Sequence, residues 1–213
     1  MDFCDVIKAR HSVRYFEPTP IDIDLLLQIV KEAQTAPSWV NAQEWRVWIA
    51  TGKTLEAIRE EFIPLLKAEA QSESDLPQAH RGDWSEMAQH NMAAFSQSRI
   101  DAGLLEAKLE AQSHLFHAPA VIYLTIPKKH SDWAVLDLGG FEQTLLLAAA
   151  NRGLGTVPAF NLVRYPEIIR RHMGIDESDA LAIGIAIGYE ADHPLNHFRS
   201  SRQATESIVV IKD

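Results

Sequence analysis

"APAVIYLTIP", residues 118–127, is an unbroken apolar run set among prolines. A strand with one wet face alternates; this run does not, so it reads as a strand buried on both faces. Beyond it, Val135, Leu138, Glu142, Leu145, Leu146 and Ala149 recur at helical spacing, and Gly153 stands where such a helix ends. That helix is apolar on most sides, which places it centrally. "LGTVP" (154–158), "ALAIGIAIGY" (180–189) and "SIVVIK" (207–212) supply further strands, with a helix near 165–173 between the first two.

Upstream, residues 2–10 read as a short helix. Asp22 caps a second, whose Leu26, Ile29, Val30 and Ala33 share one face and which ends by Pro37. "WRVWIATG" (45–52) is rich in β-formers and closes at Gly52. Residues 53–117 are largely helical, broken by "SESDLPQAHRGD" (72–83), a polar loop predicted to be mobile. Helices and strands mix without strict alternation, which predicts an α+β sandwich with helices packed on a mainly antiparallel sheet, in one domain over 1–213.

The 213-residue chain carries a net charge of -9, which argues against nucleic acid as its partner. Its one cysteine, Cys4, excludes an internal disulfide and fits a reducing compartment. No apolar run reaches about 18 residues and no signal-peptide pattern opens the chain, so it reads as soluble and cytoplasmic, without a membrane partner.

Against that acidic balance, "ARHSVRYFEP" (9–18) gathers positive charge. Arg10, Ser12 and Arg14 lie two apart, so in an extended segment they point the same way, and two guanidinium forks beside a hydroxyl suit a phosphate. Alone, the segment reads as a solvated basic turn. "APSWVNAQEW" (36–45) offers Ser38, Asn41 and Gln43 as donors and acceptors beside the indoles of Trp39 and Trp45, a set able to read the polar edge of a heterocycle. Alone, it is an ordinary helix-to-strand connection. "FRSSR" (198–202) repeats the Arg-Ser theme with Arg199 and Arg202, consistent with two distant segments meeting on one anion. "GLGTVP" (153–158) lacks the third glycine of a dinucleotide fingerprint and follows a helix, and no Walker-type lysine motif occurs. His114 and His117 could share a helical face, and His193 and His197 bracket a loop, but neither pair has an acidic or cysteine partner at ligand spacing; no metal is expected.

In this order, the segments resemble the nitroreductase family of FMN-dependent NAD(P)H oxidoreductases over nearly the whole chain. Arg10, Ser12, Arg14 and Phe16 match its opening pattern. Ala36, Pro37, Ser38, Asn41, Gln43 and Trp45 match its Ala-Pro-Ser, Asn, Gln-Pro-Trp segment, and "LDLGGFEQTLLLAAANRGLGTVP" and "IGIAIGY" with "NHFRSSR" match its central helix and closing segments. The resemblance implies an intertwined homodimer with FMN at the interface. Arg10, Ser12, Arg199 and Arg202 then hold the phosphate, with His11 alongside through its backbone. Arg14 reaches the pyrimidine side of the flavin, where it acts catalytically. Ser38, Asn41 and Gln43, with Pro37 and Trp39 beside them, come from the other subunit; Pro158 and Ala159 back the ring, and the N–H of Phe160 faces N5.

The implied activity is ping-pong hydride transfer from NADH or NADPH to nitro compounds, quinones or related acceptors. The loop 72–83 contributes to the pocket mouth, with Trp84 a candidate substrate contact. Two departures stand out: Glu44 replaces the proline of Gln-Pro-Trp, and "PAFN" (158–161) lacks the polar residue that often follows its proline. The alternatives are a flavin carrier or sensor without turnover, a dehalogenating or flavin-fragmenting superfamily member, and an interaction module with decorative arginines.

Overall fold

The run 118–127 forms a central strand. In the computed structural model, which describes residues 1–212, the strands are β1 (Arg46–Thr51), β2 (Ala120–Pro127), β3 (Gly155–Ala159) and β4 (Asp179–Gly188), arranged β1-β2-β4-β3. All pairings are antiparallel, with Ile49 opposite Ile122, Ile122 opposite Ile185 and Val157 opposite Ala186. Because side chains alternate along a strand, β2 feeds two cores. Val121 and Tyr123 face one, and Ile122, Leu124 and Ile126 face the other.

Helices cover both faces, as a fully apolar strand requires. On one side lie α1 (Phe3–Ala9), which packs on the long helix α6, then α2 (Ile23–Ala33) and α6 itself (Asp132–Asn151), supplying Leu26, Ile29, Phe141 and Leu145. The Asp22 carboxylate caps α2 by accepting the N–H of Asp24 at 2.9 Å. Gly153, at φ +76°, ends the turn after α6, where a side chain would be strained. The opposite side carries α3 (Gly52–Lys67) and α7 (Pro166–Met173), with Leu55, Ile58, Phe62 and Ile169. Helices α4 (Glu86–Asp101) and α5 (Leu105–Ser113) lie on the surface; α4 buries no residue fully.

Two expectations need correction. "SIVVIK" is not a strand: after the turn Thr205–Ser207, Ile208, Val209, Val210 and Ile211 are exposed, because β-propensity makes a strand only where a free sheet edge is met, and within one chain this segment meets none. The loop 72–83, expected to be mobile, is tethered at Asp75. Its carboxylate meets buried Arg170 at 2.6 Å and accepts the N–H of Leu181 at 2.7 Å.

The N-terminal segment after α1 is drawn across the sheet. The N–H of Val13 donates to the carbonyl of Thr156 at 3.0 Å, and Phe16 bridges Glu190. Close approach requires glycine opposite: a Cβ on Gly155 would stand 2.5 Å from Cγ2 of Val13. Asn196, fully buried on α8 (Pro194–His197), then clasps the two ends of the chain. Its Oδ1 accepts the N–H groups of Arg14 (2.7 Å) and Tyr15 (3.2 Å), while Nδ2 donates to the carbonyls of Tyr15 (2.7 Å) and Ala191 (3.0 Å).

Asn196→Ala strands buried donors and acceptors, so we expect a loss of about 3 kcal/mol in urea unfolding, with faster amide exchange at Arg14 and Tyr15 than in β2. Gly155→Ala should cost about 1–3 kcal/mol through overpacking against Val13, read from the same midpoints.

Candidate functional site

The extended run Arg10–Arg14 alternates as its spacing predicts. Val13 turns into the core, 1% exposed, while Arg10, Ser12 and Arg14 line a cavity of about 340 Å³. From the other end of the chain, Arg199 and Arg202 line the same cavity. Asn196, between β4 and these arginines, is what brings the two patches together. Sequence reading missed it: "PLNHF" signals a helix start, but nothing local marks the amide as a clasp.

The cavity is strongly cationic. Lys8 joins the four arginines, and among the described residues no carboxylate lines it and none of these five cations forms an ion pair. Arg202 is steadied by Ser200, whose Oγ accepts from Nη1 at 2.7 Å, and Arg199 donates to the carbonyl of Asn196. Arg14, half-buried, has its pKa lowered by burial and then by the charge of Arg99. It remains a cation, since guanidinium groups stay protonated in proteins. His11 also lines the cavity, but its ring is engaged between the carbonyl of Ala9 (2.7 Å) and the carboxylate of Glu190 (2.9 Å), leaving its backbone to the site.

Phe95 of α4 and Phe198 add apolar surface to the cavity, their rings 6.0 Å apart. Phe95, Ser200 and Arg202 continue into a neighbouring cavity of about 550 Å³, which Met92 and Ile208 also line. The sequence carried no signal for Phe95, because α4 shows no apolar stripe.

The other predicted residues lie elsewhere within one chain. In the 36–45 loop, Ser38 Oγ accepts the N–H of Gln43 at 3.1 Å, and Trp39 donates its N–H to Asp137 of α6 (2.9 Å) and stacks on Trp133. Val40, Asn41 and Gln43 all take left-handed backbone angles, which project Trp39, Val40, Asn41 and Gln43 outward. Pro37 is exposed at the loop's start. Gln43 and Glu44 line a separate cavity beside Arg46, whose guanidinium lies 3.3 Å from Asp179. One chain therefore does not bring Ser38–Gln43 to the arginine cavity.

Pro158, Ala159 and Phe160 are half-buried at the end of β3 and do not line that cavity either. They follow Thr156, which bridges Ser12 in parallel. The histidine reading is corrected: Glu110 sits one turn before His114, 3.1 Å from its Nδ1 and 2.9 Å from Nε2 of His117, while Asp192 pairs with His197 at 3.0 Å. The acidic partners overlooked in the sequence stand close by: Glu110 precedes His114 by four residues and Asp192 precedes His197 by five.

Among the described residues, no helix is long and apolar enough to cross a membrane. The model of the Nitroreductase family matches residues 7–189. A 4-nitrobenzoate reductase of Pseudomonas putida is 30% identical, the match covering 97% of this chain and 94% of that protein. Nitroreductase NfnB of Mycolicibacterium smegmatis is 27% identical over 88% of this chain and 82% of its own. Among solved structures, FMN-dependent nitroreductase NfnB from Mycobacterium smegmatis in complex with NADPH superposes with a TM-score of 0.89 at 24% identity, covering 98% of this chain and 96% of that one. The α+β sandwich is the fold of these nitroreductases, and with a family model spanning most of its length, this chain belongs to the nitroreductase family.

Proposed function

We propose that this chain is an FMN-dependent oxidoreductase, one domain in each copy of a cytoplasmic homodimer, which takes electrons from NADH or NADPH and reduces nitro compounds, quinones or related small-molecule acceptors. The convergence of Arg10, Ser12, Arg199 and Arg202 on a cavity without a carboxylate carries this reading. A phosphomonoester with about two negative charges fits that donor set, since guanidinium forks match phosphate oxygens. Relatives named as nitroreductases, and solved neighbours described as FMN-dependent or with bound FMN, support it.

Held there, FMN supplies hydride exchange at its N5, and the protein supplies position and charge. Arg14 stands two residues beyond Ser12 on the same face, a fixed cation without a carboxylate partner. Placed toward the pyrimidine side of the ring, it would stabilise negative charge developing there without reorganising. Pro158 and Ala159 would back the ring, with the N–H of Phe160 toward N5. His11 is engaged by Glu190, which leaves its backbone to the site.

The 36–45 loop reaches such a site only from a second copy. Exposed Trp39, Val40, Trp133 and Leu136, together with the apolar tail Ile208–Ile211, give each chain surface to bury against a partner, and β1 leaves its outer edge unpaired. Ser38, Asn41 and Gln43 then belong to the partner's flavin. Cys4, a free exposed thiol, fits the cytoplasm.

Purified protein should be yellow and bleach with NADH or NADPH under anaerobic conditions; colourless protein that ignores added FMN overturns the reading, and yellow protein that does not bleach is a carrier. Arg14→Ala should slow stopped-flow reduction about a hundredfold with FMN retained. Unchanged reduction with FMN lost would instead place Arg14 among the phosphate ligands. In sedimentation, the double variant Val210→Asp, Ile211→Asp should shift dimer to monomer and release FMN, as charge cannot be buried unpaired.

A further inference from the structure

Positive charge extends past the arginines that would hold a phosphate. Arg99 of α4 lies over the Phe95 ring, 4.2 Å from its centroid, and Phe95 lines the arginine cavity. Arg81, on the turn Arg81–Asp83, reaches the next residue of the same helix, its Nη2 3.4 Å from Ser96 Oγ. Lys108 is carried alongside by α5: the N–H of Leu104 donates to the carbonyl of Arg99, and that of Lys108 to the carbonyl of Leu104, both at 3.0 Å. None of the three forms an ion pair among the described residues.

These cations feel one another. Lys108 is lowered first by burial and then by Arg99, Arg14 and Arg81; Arg99 is lowered by burial and then by Arg81. In a chain of net charge -9, cations that repel one another and form no ion pair among the described residues mark a place for an anion. The phosphate already has Lys8, Arg10, Arg199 and Arg202. A further anionic group is needed to balance the rest.

We propose that Arg81, Arg99 and Lys108 form a second anion site, which takes the carboxylate or phosphate of the molecule that exchanges electrons at the flavin, either an aromatic acid acceptor or a phosphorylated nicotinamide donor. Placing that molecule at a flavin rests on the function proposed above. The Phe95 ring beneath Arg99 offers an apolar face for the aromatic body, and the cations beyond it fix the charged end. The site thereby selects acids over neutral analogues.

The test compares wild type with Arg99→Gln and the double variant Arg81→Gln, Arg99→Gln, each checked for FMN absorbance and thermal unfolding. A fall on the order of tenfold or more in the kcat/KM ratio of 4-nitrobenzoate to 4-nitrobenzamide supports the site and assigns it to the acceptor; the same fall in the ratio of NADPH to NADH supports it and assigns it to the donor. Arg99→Lys should recover part of whichever ratio falls. Calorimetry with benzoate against benzamide, and adenosine 2′-phosphate against adenosine, gives a readout independent of turnover, with wild type holding at least one anion at least tenfold more tightly than its neutral partner. Unchanged ratios in an active yellow enzyme, or anions bound no better than their neutral partners, overturn the site alone; wild type without flavin but with charge-selective binding overturns only the placement at a flavin.

Discussion

A single buried carboxamide holds the start of this chain against a segment near its end. Asn196 satisfies two backbone donors and one acceptor in the segment Arg14–Tyr15 and a further acceptor at Ala191, so a stretch at the start of the chain and one near its end share a side chain. Buried polar groups tolerate almost no alternative arrangement once each partner is used. Because Arg10, Ser12 and Arg14 alternate against core-facing Val13, fixing the backbone at Arg14 also aims the basic side chains. Arg199 and Arg202 follow Asn196 by a few residues and arrive at the same cavity.

The electrostatics follow from this clasp. Some cations of this acidic chain sit in ion pairs, as at Arg152–Glu32 and Arg171–Glu61, but the five gathered at one cavity form none among the described residues. Unpaired cations next to low-dielectric surface are costly in an isolated protein and favourable once an anion arrives, so the cost is carried at the place where binding relieves it. The lowered pKa of Arg14 reports the same condition: burial and a neighbouring like charge disfavour the cation until a negative group approaches.

Surface chemistry divides along the same lines. The face carrying α6 exposes Trp133 and Leu136, and the neighbouring loop exposes Trp39 and Val40. The opposite region carries α4, which lends Phe95 to the cavity, and α5, both with little burial of their own. A two-sided core thus carries one surface with exposed apolar side chains and one lightly packed helical region, preceded by the tether at Asp75.

The central strand, the helices, the mainly antiparallel sheet and the alternating Arg10-Ser12-Arg14 pattern were legible because each depends on periodicity within a few residues, which local sterics and burial enforce. The Arg-Ser repeat near each end was legible as well, as composition out of keeping with an acidic chain. Other features depended on what distant segments meet in space. The tail Ile208–Ile211 has strand-like residues but no edge to join, Asp75 turns a polar loop into a fixed one, and Glu110 pairs with histidines that looked unaccompanied. Asn196 and Phe95 carry no local signature at all. By itself, the sequence determined the layers of the fold and the positive charge at its two ends; only the tertiary structure decided that those ends share one cavity, because long-range hydrogen bonds and close backbone approach are set by packing between segments and leave no period in the chain.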